Sequence, residues 1–362
     1  MSYNNQPPQK PIIAMDYSDH LIDNSANIKE ALLRLNQLDL DMILFVVDKK
    51  RKLLGSLTDG DVRRGLLNNK SLDSNVLEFI KTCPKKLQKG NYNIEDLIKY
   101  RKENYKIIPI VDDQDKVIDI INFRIIRSYL PLDALIMAGG KGTRLKPLTD
   151  RLPKPLIPVG EKPIIDYNID HLLYYGIKNI KISVNYLGDK IEKHIRKNNK
   201  EIEFIWEDKF LGTIGSAGLV KDFVHDAVLI MNSDLLTNID FETFFLKFKH
   251  SNADMAVAAV PYEVYIPYAV MELQDSNVRG FTEKPIYQYY TNGGIYIVKK
   301  ETLRKHVQSG SFYNATDLMK DIMKSGGQIY SYPMDEYWLD IGKHQDLEKA
   351  NNEIHKIKFQ KH

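Results

Sequence analysis

The segment from Leu135 to Val159, which reads LIMAGGKGTRLKPLTDRLPKPLIPV, decides the fold of the larger part of this chain. It overlaps a short apolar run, residues 134–138, of the kind expected for a buried strand. Glycines at 139, 140 and 142 come next, so backbone N–H groups can approach a phosphate chain with no Cβ in the way. The sequence therefore predicts a phosphate-binding loop at the end of a buried strand.

A glycine loop alone is also consistent with a tight turn, so the residues around it matter. Arg144, Lys146 and Lys154 supply positive charge opposite a phosphate chain. The spacing of the whole segment resembles the signature of the sugar-1-phosphate nucleotidylyltransferases. The matching residues are Gly140-x-Gly142-Thr143-Arg144, Pro147, Thr149, Pro153-Lys154-Pro155 and Pro158-Val159. The resemblance implies an enzyme that joins a nucleoside triphosphate to a sugar-1-phosphate.

The composition favours two packed domains without a nucleic-acid or membrane partner. With 362 residues two domains are the default expectation, and 43% hydrophobic residues are ample for two cores. The 51 basic and 48 acidic residues leave a net charge of only +3. The single cysteine, Cys83, excludes an internal disulfide, and no apolar run has the length of a signal core or a membrane span. We expect a soluble, cytoplasmic protein.

An internal repeat occupies the first domain, which we predict at residues 11–130. The segment VVDKKRKLLGSLTDGDVRR in the first copy aligns with IVDDQDKVIDIINFRIIRS in the second. The predicted elements are helix 27–38, strands 42–47 and 53–57 and helix 62–67 in the first copy, and helix 94–103, strands 106–111 and 117–121 and helix 124–129 in the second. The repeats, about 11–68 and 74–130, resemble a tandem pair of CBS modules, an α+β arrangement. The resemblance implies a cleft that senses AMP, ADP or ATP.

The two repeats are not equally equipped. Gly55-x-x-Thr58-x-x-Asp61 in the first repeat resembles the CBS motif in which a hydroxyl faces phosphate and a carboxylate accepts ribose hydroxyls. The second repeat has Asn122 and Ile125 at the positions of the threonine and the aspartate, so we expect at most one equipped site. Thr58 and Asp61 could equally well only cap a helix, and the sequence leaves both roles open.

Strand-like and helical patches alternate in the second domain, which we predict at residues 132–362. Such alternation predicts an α/β fold with a Rossmann-like, mostly parallel sheet, and ligands of these folds bind at the carboxyl ends of the strands. Further segments extend the family resemblance over the domain: Glu207-Asp208-Lys209, Leu211-Gly212-Thr213-x-Gly215, Asn232-Ser233-Asp234, Phe281-Thr282-Glu283-Lys284-Pro285, Asn292-Gly293-Gly294-Ile295-Tyr296 and Trp338-Leu339-Asp340-Ile341-Gly342.

The resemblance implies a reaction in which a sugar phosphate attacks the α-phosphorus of a nucleoside triphosphate in line. Positioning of the two substrates and neutralisation of their charge dominate the barrier of such a reaction. The resemblance also implies a role for each of the following residues. Asp234 and Asp340 are the implied ligands of Mg²⁺, a cation that prefers oxygen donors. The implied catalytic residues are Arg144, Lys154 and Lys284. The implied nucleotide-binding residues are Ala138, Gly139, Gly140, Gly142, Thr143, Gly212 and Thr213, and the implied sugar-phosphate-binding residues are Glu283, Lys284, Asn292 and Gly293. Each residue alone has a structural explanation, such as a turn aspartate, and only the joint order favours chemistry.

The nucleotide and the sugar are less constrained than the chemistry. The Leu-Gly-Thr-x-Gly segment resembles the guanylyltransferase branch, although uridylyl enzymes share part of it. A CBS pair ahead of such a domain resembles bacterial enzymes of legionaminic acid pathways, which implies GTP and glucosamine-1-phosphate. Mannose-1-phosphate guanylyltransfer is the nearest alternative. A non-catalytic, nucleotide-sensing regulatory subunit is an alternative of another class, although the catalytic set is complete. We also expect a homo-oligomer, since both modules often associate in pairs.

Overall fold

The chain forms two compact units in the computed structural model, which describes residues 17–90, 92–198 and 202–359. The first unit reaches Tyr129 and also takes in Tyr174–Gly176, and the second unit begins at Leu130. The predicted start of the first domain at residue 11 and the predicted end of the second at residue 362 lie outside the described residues. No helix in the described ranges is long and apolar enough to span a bilayer.

The first unit contains two small sheets. Its elements are β1 (Leu21–Asp23), α1 (Ile28–Gln37), β2 (Ile43–Val47), β3 (Leu53–Thr58), α2 (Asp59–Leu67), β4 (Lys81–Thr82), β5 (Leu87–Gln88), α3 (Ile94–Lys102), β6 (Ile107–Val111) and β7 (Val117–Asn122). In one sheet β1 runs parallel to β2, and β2 and β4 flank β3 as antiparallel neighbours. In the other, β5 runs parallel to β6 and β6 antiparallel to β7. Each sheet thus has a parallel pair joined through a helix, followed by an antiparallel strand.

A shared core joins the two halves of this unit. Phe45 from β2 is buried together with Ile107 of β6 and Val117 and Ile120 of β7. Backbone hydrogen bonds also cross between the halves, from the Leu53 N–H to a carbonyl in the turn before β7, at 2.9 Å. The two halves therefore bury a common apolar face, as expected of paired repeats.

One predicted element of the first unit is wrong. Residues 124–129, predicted as a helix, form a turn followed by irregular chain. The N–H groups of Ile125 and Ile126 both bond the Asn122 carbonyl, and the Asn122 side chain accepts the Arg124 N–H at 3.0 Å. These bonds close a single turn. Since the second unit begins at Leu130, too little chain remains to extend that turn into a helix.

The second unit is built on a seven-stranded sheet. Its helices are α4 (Ile164–Tyr174), α5 (Gly188–Asn198), α6 (Phe241–Ser251), α7 (Lys300–His306), α8 (Ala315–Lys324) and α9 (His344–Glu353). Its strands are β8 (Asp133–Ala138), β9 (Pro158–Val159), β10 (Lys162–Pro163), β11 (Asn179–Val184), β12 (Glu203–Trp206), β13 (Ala227–Asn232), β14 (Leu235–Thr237), β15 (Met255–Tyr265), β16 (Val270–Gln274), β17 (Asn277–Thr282), β18 (Ile286–Lys299), β19 (Ile329–Pro333) and β20 (Trp338–Asp340).

The large sheet has the strand order β12-β11-β8-β13-β18-β15-β19. Six strands run parallel, and β18 runs antiparallel to both of its neighbours. This arrangement confirms the predicted α/β fold with a mostly parallel sheet. The strand that precedes the glycine loop, β8, lies in the interior of the sheet between β11 and β13, so the carboxyl ends of three adjacent parallel strands meet at that loop.

Two strands of the sheet continue far beyond it. The register of β15 and β18 runs from Met255 opposite Val298 out to Tyr265 opposite Ile286, with a bulge between Val257 and Ala259. The outer halves pair only with each other, and the hairpin of β16 and β17 follows at their tip. The sequence analysis did not predict this extension.

The shared core of the first unit gives a direct test of its stability. We expect Phe45→Ala to lower the free energy of unfolding of this unit by about 3–5 kcal/mol, because a fully buried ring leaves a cavity. Far-UV circular dichroism in a denaturant titration reports both units, whereas fluorescence reports only the second, which holds both tryptophans, Trp206 and Trp338. We expect the dichroism transition to shift and the fluorescence transition to stay.

The matched control is Leu33→Ala, since Leu33 on α1 is exposed. An unchanged dichroism transition in Phe45→Ala would contradict the shared core.

Candidate active site

The glycine loop leaves β8 at Ala138, which is buried. Gly139 packs on the Glu207 carboxyl, and a Cβ at position 139 would lie 2.9 Å from Glu207 Oε1. Gly140 is exposed with no atom near its Cβ position, so a ligand has free access to the backbone there. Gly142 has φ of 59°, in the left-handed region that favours glycine. The loop is therefore both tightly packed at its base and open above.

The loop is fastened to the Pro-Lys-Pro segment behind it. A Cβ on Gly142 would lie 3.0 Å from Thr149 Cγ2 and 3.1 Å from Lys154 Cβ. The Thr149 hydroxyl also donates to the Gly142 carbonyl at 2.9 Å. Glycine at 142 thus lets the loop close onto Lys154, which explains why the two motifs occur together in the sequence.

A small antiparallel ladder brings the two predicted metal ligands together. Strands β14 and β20 pair with Leu235 opposite Asp340, and the Ile341 N–H bonds the Asp234 carbonyl at 3.1 Å. Asp234 and Asp340 are separated by about a hundred residues in sequence, yet this register places both at the same end of the ladder.

The Lys154 ammonium lies between these carboxylates. Its Nζ donates to Asp234 Oδ2 and is 3.5 Å from Asp340 Oδ1. The Lys154 side chain is only 10% exposed, so its charge requires an anionic partner. Burial, and then the neighbouring Asp234 carboxylate, raise the pKa of Asp340 above its usual range.

The two aspartates fit a magnesium ion. The Oδ1 atoms of Asp234 and Asp340 are buried, and within the described residues neither accepts a hydrogen bond. The part of the chain that the structure describes holds no cluster of three or more Asp, Glu, His or Cys ligands. Mg²⁺ nevertheless needs only one or two carboxylates, because waters and substrate phosphates complete its shell.

Arg144 lies near this group, on a short 3-10 turn, Thr143–Leu145. Its guanidinium rests against Gly342, where a Cβ would come within 3.1 Å of it. Thr143 and Arg144 are both exposed, and the Arg144 charge counteracts the rise in the pKa of Asp340. A planar guanidinium held in this position can bind a phosphate with two hydrogen bonds.

The predicted nucleotide-binding residues Gly212 and Thr213 also contribute to the packing of the fold. Gly212 has φ of 84°, and a Cβ there would lie 2.6 Å from the Tyr313 carbonyl. The Thr213 hydroxyl accepts the N–H of Ala315, the first residue of α8, at 2.9 Å. The Thr213 side chain therefore satisfies an N–H at the start of a helix, and the Thr213 N–H itself donates to the Asn314 side chain at 3.3 Å.

Asn292 and Gly293 lie at the bulge of β18. The Asn292 side chain accepts the Gly294 N–H at 3.0 Å, and the Gly293 carbonyl accepts the Trp338 indole N–H at 2.8 Å. Trp338 begins β20, the strand that ends at Asp340. One hydrogen bond thus connects the predicted sugar-phosphate segment to the strand that supplies a carboxylate.

Glu283 and Lys284 are not brought into this cluster. Both are exposed in the turn between β17 and β18, and Lys284 has φ of 44°. In the described part of the chain neither makes an ion pair. Their predicted role at the sugar phosphate stays a prediction.

The predicted regulatory residues lie in the first unit, as a helix cap. Thr58 is the N-cap of α2, and its N–H and hydroxyl both donate to Asp61 Oδ2, at 2.9 and 2.6 Å. The other Asp61 oxygen accepts from Arg64 at 2.5 Å. The capping role is thus realised, and a nucleotide would have to exchange with these partners.

Two buried polar residues near the site were missed as site residues in the sequence. Glu207 follows β12, accepts the Leu211 N–H at 2.9 Å, and has a pKa raised by burial. Asn168 on α4 donates to the Ser233 carbonyl at 3.3 Å and so holds the residue before Asp234. Asn168 could have been identified from the sequence, because it is a polar residue within the apolar face of α4.

The contacts of Lys154 predict how the site responds to its removal. We expect Lys154→Met in EDTA to lower the free energy of unfolding by about 2 kcal/mol at neutral pH, because two partly buried carboxylates then face each other without a cation. The loss should shrink as the pH falls, because Asp340, whose pKa burial already raises, takes up a proton in the folded state first. Thermal unfolding followed by tryptophan fluorescence measures both effects.

Millimolar Mg²⁺ should restore more stability to Lys154→Met than to the unmodified protein, since the cation replaces the missing charge. Lys162→Met removes an exposed lysine–aspartate pair of the same unit and serves as the control. Equal losses in the two variants would show that Lys154 does not neutralise the carboxylates.

Comparison with known proteins agrees with this geometry. The sequence profile of the nucleotidyl transferase family matches residues 133–357, and that of the CBS domain matches residues 13–68. A solved Bacillus anthracis structure of a proposed glucose-1-phosphate thymidylyltransferase, in complex with sucrose, superimposes with a TM-score of 0.50 at 26% identity, over 64% of this chain and 98% of that one.

Curated relatives align over the same part of the chain. Mannose-1-phosphate guanyltransferase of Schizosaccharomyces pombe and UTP–glucose-1-phosphate uridylyltransferase of Synechocystis are each 30% identical, over 59% and 60% of this chain respectively and 62% of their own length. The chain thus spans less than two thirds of those relatives. D-glycero-alpha-D-manno-heptose 1-phosphate guanylyltransferase of Aneurinibacillus thermoaerophilus is 30% identical over 62% of this chain and 98% of its own length.

These matches confirm the resemblance of the glycine loop and the later motifs, and only the first of the two predicted CBS repeats is matched. The chain therefore belongs to the nucleotidyl transferase family and has a CBS domain ahead of its nucleotidyl transferase domain.

Proposed function

We propose that this protein catalyses the Mg²⁺-dependent transfer of a nucleotidyl group from GTP to glucosamine-1-phosphate, which gives a nucleotide sugar and pyrophosphate. The observation that supports this proposal most is the convergence of Lys154, Asp234 and Asp340 beside an open glycine loop. Two polyanions must meet in this reaction. Lys154 supplies a positive charge at the point where they meet, and the two aspartates supply ligands for a metal ion.

The reaction needs no covalent enzyme intermediate. A phosphate oxygen of the sugar-1-phosphate forms a bond to the α-phosphorus, and the bond from that phosphorus to the leaving pyrophosphate breaks in line. In the proposed site the N–H groups around Gly140 hold the triphosphate, and Arg144 holds the phosphates that leave. Lys154 meets the negative charge that develops at the α-phosphate.

Asp234 and Asp340 would hold the metal, and Mg²⁺ when bound neutralises phosphate charge. Their buried Oδ1 atoms, which accept no hydrogen bond within the described residues, are the oxygen atoms available to it. Lys154 lies against the same two carboxylates, so its ammonium is positioned beside the place where the α-phosphate would bind.

The choice of GTP rests on the base-side segment and on the relatives. Two of the curated relatives at 30% identity are named guanylyl- or guanyltransferases, although a uridylyltransferase is as similar. The choice of glucosamine-1-phosphate rests on the fusion to a CBS domain, which resembles enzymes of legionaminic acid pathways. Mannose-1-phosphate, the sugar substrate in the name of the fission-yeast relative, is the nearest rival.

Pyrophosphate release tests this proposal. With Mg²⁺ present and five nucleoside triphosphates crossed with a panel of sugar-1-phosphates, we expect the highest kcat/KM for GTP with glucosamine-1-phosphate. Asp234→Asn should lower kcat by about a hundredfold or more, because it keeps the shape of the side chain and removes its charge. Asp335→Asn, at an exposed aspartate of the same unit, is the control and should keep full activity.

Turnover with a different pair would keep the transferase and reject these substrates. No turnover with any pair, with or without adenine nucleotide, would favour the regulatory-subunit alternative.

We further propose that the first unit binds an adenine nucleotide at Thr58 and Asp61. The match of residues 13–68 to the CBS domain supports a nucleotide site there. The hydroxyl at the start of α2 and the carboxylate in its first turn are the groups that phosphate and ribose would need. A nucleotide bound there would alter transferase kinetics only if it prefers one arrangement of the protein.

Calorimetric titration with AMP and with ATP measures this site. We expect binding heat with the unmodified protein and at least a tenfold loss of affinity in Asp61→Ala, since the ribose loses its acceptor. Asp96→Ala removes a first-turn acid from α3 of the same unit and should bind normally. Undiminished heat in Asp61→Ala would reject the site.

A further inference from the structure

Two polar side chains on one face of α4 bond the part of the chain that carries Asp234. Asn168 and His171 are three residues apart in the helix, so they lie on the same side of it. They lie between two apolar residues of that face, Ile164 and Leu172, and are only 2% and 4% exposed. Burial of a polar side chain is unfavourable unless the side chain is hydrogen-bonded, so both residues need partners.

Both partners are backbone carbonyls on either side of β14. The Asn168 amide donates to the Ser233 carbonyl at 3.3 Å, one residue before Asp234. His171 Nε2 lies 2.8 Å from the Ile239 carbonyl, which can only accept, so this nitrogen carries the proton. Burial lowers the pKa of His171 to about 4, so the imidazole is neutral at neutral pH. Helix α4 therefore holds the chain both before and after β14.

The bond from Asn168 orients the peptide unit that leads into Asp234. A peptide unit is planar, so a bond that fixes its carbonyl also fixes the N and Cα atoms of the next residue. The Ser233 N–H donates to the Met137 carbonyl of β8 at 3.1 Å, and the Asp234 carbonyl accepts the Ile341 N–H at 3.1 Å. The peptide units on both sides of Asp234 are thus held, and with them the direction of its Cβ.

The Asp234 side chain has few contacts that could replace this control. Lys154 donates to Oδ2, whereas Oδ1 is buried and accepts no hydrogen bond within the described residues. Lysine is a flexible side chain with a point charge, so it can follow a carboxylate that moves. A rotation of the preceding peptide unit would therefore displace Oδ1 relative to Asp340, and Lys154 alone would not prevent it.

We propose that Asn168 is a positioning residue, which holds the Asp234 carboxylate in the geometry that binds Mg²⁺. This inference rests on the proposed function, because it takes Asp234 as a metal ligand. Loss of a group that orients a metal ligand commonly weakens metal binding by about 10–100-fold. Asn168 acts through the backbone rather than on the carboxylate itself, so we expect the lower end of that range.

Binding of Mn²⁺ to the free protein tests this inference without any turnover. Mn²⁺ takes the same oxygen ligands as Mg²⁺, and electron paramagnetic resonance gives its dissociation constant. Asn168→Leu removes the donor and keeps a side chain of similar shape, so we expect the Mn²⁺ dissociation constant to rise about tenfold. Asp234→Asn is the blank. Asn168→Ala replaces the leucine variant if circular dichroism shows that the latter is not folded.

The matched control is Tyr167→Phe, at the neighbouring residue of α4. It keeps the ring and removes a hydrogen bond of 2.8 Å from the hydroxyl to the Val159 carbonyl, which is not part of the chain around β14. We expect its Mn²⁺ dissociation constant to stay within about twofold of that of the unmodified protein, because the two sites are independent. In the pyrophosphate assay, the free Mg²⁺ concentration that gives half the maximal rate should rise about tenfold in Asn168→Leu only.

Three outcomes would overturn the proposal. An unchanged Mn²⁺ dissociation constant in Asn168→Leu would show that the bond serves stability alone. An equal loss in Tyr167→Phe would show that any loosening of α4 has the same effect. Mn²⁺ binding that is absent from the unmodified protein, or unchanged in Asp234→Asn, would show that Asp234 is not a metal ligand. The expected Mn²⁺ result without turnover of any substrate pair would reject the proposed function and support this inference.

Discussion

The site depends on one constraint, which is that the nearly buried Lys154 ammonium must have carboxylates around it. Asp234 and Asp340 meet this requirement only because β14 and β20 pair in the observed register. The glycine at 142 matters for the same reason, since any side chain there would strike the Lys154 stem. The loop, the proline-flanked lysine and the two aspartates therefore form a single electrostatic unit.

Several motif glycines serve packing as much as ligand binding. Gly212, Gly215 and Gly218 each approach backbone atoms between residues 308 and 313, where a Cβ would come within 2.8 Å of a carbonyl oxygen. The segment that resembles a base-binding loop thus also packs against the chain that leads into α8. A residue can match a family motif for structural reasons, and Thr213, whose hydroxyl accepts an N–H at the start of that helix, is the clearest case.

Most of the fold could be predicted from periodicity, because buried strands such as β8 and β13 are short apolar runs between turn residues. The helix predicted at 124–129 was wrong because the chain makes a single turn at Asn122 and then enters the second unit at Leu130, and periodicity does not report where an element is cut short. The extension of β15 and β18 was missed because its apolar residues face water rather than a core. The order of the site residues was readable, but the register that joins Asp234 to Asp340 depends on strands a hundred residues apart.

The extension of β15 and β18 beyond the sheet is continuous with the candidate site. The inner halves of β15 and β18 belong to the core, and their outer halves begin at the bulge near Ala259 and Gly293. The Trp338 indole bonds the Gly293 carbonyl at that bulge, two residues before Asp340 on the same strand. This hydrogen bond therefore connects the base of the extension directly to the strand that ends at Asp340.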